Sequence, residues 1–140
     1  MAAEIHALFQ AAYRVEAELI GATDFPPLRR ACRDIRRSDT LFWGCRNSSG
    51  LTGVVEVRQD NSALQISSLA VVPALFRQGI GSGLVNHVLS ALKWQTVEVQ
   101  TAAANTPALG LYRRLGFCEQ KRWLAKEGIE LVSFIKQRLY

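Results

Sequence analysis

The chain opens on a helical period. Ile5, Leu8, Phe9, Ala12, Val15 and Leu19 recur three and four residues apart, which predicts a helix over residues 3–20, with Gly21 as its stop. "DFPPL" then breaks the chain, and Pro27 is placed to open a second helix to about Ser38, its stripe formed by Leu28, Ala31, Cys32 and Ile35. After Ser38 the pattern changes to strand-like runs. "TLFWGCR" (40–46), "LTGVVEVRQ" (51–59) and "ALQISSLAVV" (63–72) read as three strands joined by the turns "NSSG" and "QDNS", an antiparallel meander. Pro73 ends the third strand. Leu84, Val85, Val88, Leu89 and Leu92 return to the helical period from Gly81 onward, and "QTVEVQT" (95–101) reads as another strand. Thr106 is placed to cap a helix with Pro107 at its first position; Ala108, Leu111 and Leu115 form its stripe and Gly116 its end. "FCEQKRWLA" and "IELVSFIKQRL" close the chain as a hairpin around "KEG".

The order α-α-β-β-β-α-β-α-β-β places a β-α-β unit at 63–101, and with it one parallel pair inside an otherwise antiparallel sheet. The expected class is α/β (α+β). No repeat or linker divides residues 1–140, so a single domain is expected. No apolar run is long enough to span a bilayer. The start, "MAAEIHALFQ", carries Glu4 and no basic stretch, so it does not read as a signal peptide. Cys32, Cys45 and Cys118 are scattered, and the histidines are His6 and His87 alone. That distribution argues against a metal site or a disulfide framework and suits a reducing compartment, so the expected location is the cytoplasm. The net charge of +5 fits simple solubility, nucleic acid or a small polyanionic ligand equally well.

"FRQGIGSGLV" (76–85) puts Gly79, Gly81 and Gly83 where a helix begins, a costly choice for a helix interior. A strand, a glycine turn and a helix N-terminus together form an anion site: the first helical N–H groups lack partners, the helix dipole adds positive charge, and glycine lets an anion approach. A tight turn with close packing explains the same residues. No Lys-Ser or Lys-Thr follows at P-loop spacing, and G-x-G-x-G is not the dinucleotide fingerprint.

Two stretches in order, "LAVVPALFRQGIGSGLV" and "NTPALGLYRRLGF", resemble the GCN5-related N-acetyltransferases (GNAT), over roughly residues 51–123. Asn105, Ala108, Leu111, Tyr112, Gly116 and Phe117 stand at that family's spacing. The resemblance implies a mixed, mostly antiparallel twisted sheet whose central parallel pair splays apart, with helices on both faces. It also implies acetyl-CoA as co-substrate. The backbone of Arg77, Gln78, Gly79, Ile80, Gly81 and Ser82 would hold the pyrophosphate. Leu69, Ala70 and Val71 would pair with the pantetheine arm, Asn105 would lie near that arm or an ordered water, and Tyr112 would place its hydroxyl near the thioester sulfur. Taken without the resemblance, Tyr112 reads as a half-buried helix tyrosine.

The chain departs from the family's pattern in three places. The loop's usual Arg or Gln is Phe76, a lost contact that Arg77 is placed to replace. The family's first strand is missing or very short, which leaves a sheet edge that a homodimer partner could cover. The customary positions for a catalytic Glu hold Gln65 and Gln100. An amine must lose a proton before it attacks; of the remaining acids, Glu56 is preferred over Glu98 as the base. On the acceptor side, Glu16, Glu18 and Asp24 could draw in a cationic amine and Phe25 could wall the site, although helix-surface acids and a proline turn anchored by Phe25 account for the same residues.

Three functions follow from the sequence. The leading one is direct acetyl transfer in a ternary complex to a primary amine, either a small molecule or a protein N-terminus, with Tyr112 protonating the CoA thiolate. A non-catalytic acyl-CoA-binding or regulatory domain of the same fold is the alternative. The third is a nucleic-acid binder that uses Arg29, Arg33, Arg36 and Arg37; Asp34 and the anionic charge of CoA argue against it.

Overall fold

A computed structural model describes residues 1–138; Leu139, the last residue of the expected closing strand, lies outside them. The first helix, α1 (Ala2–Ile20), ends at Gly21, which takes the left-handed conformation (φ 70°) that stops helices. Ile5, Leu8, Phe9 and Ala12 are buried as the period requires, but Val15 and Leu19 are exposed because they face a cleft.

The expected second helix is split. A 3₁₀ turn (Pro26–Arg29) is followed by extended backbone at Arg30 and Ala31, and then by the short α2 (Cys32–Arg36). Side chains drive the break. Gln10 donates to the Leu28 carbonyl at 3.0 Å, and the Asp34 carboxylate accepts from the Ala31 N–H at 2.8 Å. The extended step turns the Arg30 guanidinium onto Glu56. Of the four expected stripe residues only Ile35 is buried.

Strands β1 (Leu41–Asn47), β2 (Gly50–Asp60) and β3 (Ala63–Val71) form the meander; β4 (Thr96–Ala102), β5 (Cys118–Leu124) and β6 (Glu130–Gln137) complete one sheet in the order β1-β2-β3-β4-β6-β5. All pairings are antiparallel except β3 with β4. That parallel pairing spans only Ala63–Ile66 against Thr96–Val99. It stops where β3 carries an extra residue: Val57 pairs with Ile66 and Glu56 with Ser68, so Ser67 bulges. Beyond the bulge the two strands splay.

Helices α3 (Ile80–Ala91) and α4 (Thr106–Arg114) cover one face, burying Leu84, Val85, Val88, Leu109 and Tyr112 with Val55, Val57, Val97 and Phe134. Helices α1 and α2 cover the other, packing Ile5, Leu8, Phe9 and Ile35 on Val54 and Ala70. The alternation of Val54 and Val55 between the two cores is the period-2 rule at work. The cap of α4 is Asn105, not Thr106: its Oδ1 accepts from the Ala108 N–H at 3.3 Å, which places Thr106 and Pro107 in the first turn. The buried residues of that helix are Leu109 and Tyr112, one position on from the expected stripe. Among the described residues no helix is long and apolar enough to cross a membrane.

Candidate active site

The splay opens a continuous cleft of about 910 Å³. Past Ile66, β3 is paired on its β2 side alone, from Ser68 to Val71, so the other edge of Leu69–Val71 faces the cleft. That edge leads to the start of α3. Gly79 is the N-cap in the left-handed region (φ 81°) and offers no side chain to the first turn. The Gly83 N–H bonds the Gly79 carbonyl at 2.9 Å, which leaves the amides of Ile80, Gly81 and Ser82 without helical partners. No acidic residue sits in that turn.

The glycines there play different parts. Gly79 needs glycine for its φ. A side chain at Gly83 would meet open space, and one at Gly81 only ordinary contacts at 3.7 Å. Protein packing therefore does not seal the bend. Arg77 also has positive φ (66°), unusual for a residue with a side chain, and it lines the cleft. Phe76 lines it too and is 42% exposed.

The cleft brings together Leu69, Ala70, Val71, Arg77, Gly79, Ile80, Gly81, Ser82, Asn105 and Tyr112, along with Glu16 and Phe25, the two residues expected to face an acceptor. Gln78 is exposed and lies outside its lining. Asp24 is also outside it, in a neighbouring crevice with Glu127 and Glu130, and is ion-paired to Arg29. Glu98 does not line the cleft; Gln100 does.

Tyr112 is 4% exposed, edge-on to Phe117 at 5.5 Å and tilted against Phe134 at 6.1 Å. Burial pushes its hydroxyl well above the usual tyrosine range, with smaller contributions from Tyr13 and Glu16, so it keeps its proton at neutral pH.

The setting of Glu56 argues against its expected role as base. It is 2% exposed and absent from the cleft lining. Arg30 grips both carboxylate oxygens, at 2.6 and 2.9 Å. The Thr40 hydroxyl donates to one oxygen at 2.6 Å, and the Ser68 hydroxyl to the other at 2.8 Å. Burial alone would raise its pKa, but the bonds from Arg30, Thr40 and Ser68 outweigh burial and hold it below the ordinary value. A carboxylate so saturated is a poor proton acceptor.

Sequence reasoning missed Tyr13, which lines the cleft and packs edge-on to Phe25 at 6.1 Å. Its hydroxyl meets Ser68, and burial raises its pKa. The signal was the i, i+3 spacing of Tyr13 and Glu16 on one helix face. Gly53 was missed as well: a side chain there would come within 2.7 Å of Ile80 Cγ2, so β2 needs glycine to let α3 start where it does.

Residues 13–138 match the family described as "Acetyltransferase (GNAT) domain". The UPF0157 protein YqkA of Bacillus subtilis (strain 168) is 36% identical over 135 residues; the match covers 96% of this chain but 39% of YqkA, so the chain spans well under half the length of that relative. The ribosomal-protein-S18-alanine N-acetyltransferase of Escherichia coli superposes with a TM-score of 0.77 at 18% identity, covering 97% of this chain and 86% of that one. The PaiA N-acetyltransferase of Thermoplasma acidophilum, solved with coenzyme A, also gives 0.77, at 16% identity and 98% and 92% coverage. Those two likenesses establish a shared fold, and the match over residues 13–138 goes further: this chain belongs to the GNAT acetyltransferase family.

Proposed function

We propose that the chain is an acetyl-CoA-dependent N-acetyltransferase acting on a primary amine, by direct attack within a ternary complex. One observation carries the reading: the free edge of β3 and the uncapped amides of α3 line one cleft, on a bend that packing leaves open. Peptide-like groups suit the strand edge, and a diphosphate suits the helix start. Arg77 and Arg114 add positive charge along the cleft. Bound acetyl-CoA supplies an activated acetyl group as a thioester.

The chain's residues then have separate tasks. The amides of Ile80, Gly81 and Ser82 hold the anion and fix the depth of the arm, and Leu69–Val71 align it. Tyr112, neutral and buried, gives a proton to the departing sulfur. Phe25 walls the acceptor end. A non-catalytic acyl-CoA-binding domain is favoured by one observation only, the saturation of Glu56. Both readings meet one experiment: release of free thiol from acetyl-CoA with spermidine, phenethylamine, free alanine and an alanine-initiated peptide. Turnover with at least one acceptor supports the enzyme. Acetyl-CoA binding without turnover on any of them supports the binding domain.

A further inference from the structure

The cleft holds a second carboxylate whose surroundings are the reverse of those of Glu56. Glu16 lies on α1, three residues after Tyr13, on the face turned to the cleft. It forms no ion pair among the described residues. Asn105 is placed to donate to it: the Asn105 Oδ1 caps α4, which leaves the amide NH₂ for Glu16. Tyr13 and Tyr112 line the same cleft, and the charge of Glu16 helps to raise the pKa of both. Arg77, Arg114 and Glu127 also line the cleft; burial and Asn105 are what shift Glu16.

We propose that Glu16 is the catalytic base: its carboxylate receives the acceptor as an alkylammonium ion and takes the proton that must leave before nitrogen can attack. This inference rests on the acetyltransferase reading. Three features carry it: Glu16 lines the cavity, the tyrosine that would protonate the leaving group lines the same cavity, and Glu16 forms no ion pair among the described residues. A group left in that state is complementary to a cation. Its desolvation, eased in part by Asn105, holds its pKa above the ordinary carboxylate value, toward the range a base needs. Glu16 takes one proton from the ammonium, and the freed nitrogen forms the new N–C bond as the C–S bond breaks. Tyr112 gives its proton to sulfur and regains one from the acylated nitrogen. Glu16 passes its proton to water, so one proton is released per turnover. The saturation of Glu56 then no longer leaves the site without a base.

The test uses the fastest acceptor of the four-amine panel. In wild type, kcat/KM falls on the acidic side as Glu16 is protonated. Glu16→Gln, nearly isosteric, loses that limb: its rate climbs with pH toward the amine's own pKa, and at pH 7 it is about 10²-fold slower, the low end for general-base loss. Glu16→Asp keeps the limb at reduced rate. Independently of turnover, ¹³C NMR of the acetyl-CoA-free protein, labelled at glutamate Cδ, shows one carboxyl titrating above the ordinary range and missing from Glu16→Gln. A Glu16→Gln variant that keeps the wild-type acidic limb at the same pH overturns the proposal and leaves the acetyltransferase reading standing. So does a raised KM with an unchanged pH profile. Failure of wild type on every amine, with acetyl-CoA still bound, overturns both.

Discussion

Glu56 and Glu16 belong to one neighbourhood, joined through Ser68 and Tyr13, yet one is gripped by an arginine and the other forms no ion pair among the described residues. Glu56 sits mid-strand in β2, where the break before α2 brings Arg30 and the start of β1 brings Thr40. It ties the helical pair to the sheet. Glu16 is half-buried at the cleft, where β3 and β4 have parted, and forms no ion pair among the described residues. The same side chain thus does structural work in one place and is available for chemistry in the other. Environments that push two carboxyls in opposite directions are how acid–base roles become assigned in a site.

The comparison breaks most severely at Arg30. Arg30→Met leaves Glu56 buried and unpaired, and unfolding by urea is expected to show a loss of about 3–5 kcal/mol. The pH dependence follows the direction of the Glu56 shift. Its folded pKa lies below 4.5, so its stabilisation is complete above that value and fades as pH falls through the lower, folded pKa. Acid titration followed by circular dichroism should show that component in wild type and not in Arg30→Met. A variant as stable as wild type would mean that the clamp is ornamental.

Tyr112→Phe comes next. Loss of the proton donor should lower kcat about 10²-fold with acetyl-CoA affinity unchanged, read by thiol release and calorimetry. A matching loss of affinity would move Tyr112 from chemistry to binding.

Gly53→Ala tests whether the sheet sets the helix start. Its methyl meets Ile80 Cγ2 at 2.7 Å and Leu84 Cδ1 at 3.1 Å, both at the base of α3. Overpacking of this kind costs about 1–3 kcal/mol. Acetyl-CoA binding should weaken beyond what partial unfolding explains, because the amides move with the helix.

The smallest effect sharpens the contrast from the other side. The folded pKa of Glu16 lies above 4.5, so the folded state keeps its proton longer than the unfolded chain does, and stability falls as pH rises from 4.5 through that pKa. Above this window Glu16→Gln should melt slightly higher than wild type, while Arg30→Met melts lower. A lower melting temperature for Glu16→Gln would show that Glu16 supports the fold.

Much of the fold was legible because period and punctuation carry it. The meander, the parallel crossover and the glycine bend follow from alternation, Pro73 and the switch to a helical stripe after Gly81. The second helix was misread because the stripe Leu28, Ala31, Cys32 and Ile35 contains no hint that Arg30 would leave the helical path for a carboxylate 26 residues away. The same long-range contact hid the nature of Glu56, since a polar residue inside a valine run reads alike whether it is clamped or free. Conversely, Val15 and Leu19 looked like core, because periodicity marks the apolar face of a helix without telling whether that face meets a sheet or a cleft. The glycine bend at the start of α3 was readable because backbone and glycine, rather than distant partners, make it.

The central claim is that the open amides at the start of α3 receive the diphosphate while the free edge of β3 aligns the arm. Amide-resolved ¹⁵N NMR during titration with acetyl-CoA tests it most directly. The account predicts saturable shifts concentrated at Ile80, Gly81, Ser82 and Leu69–Val71. Binding that leaves those amides unmoved, or no binding at all, would contradict it.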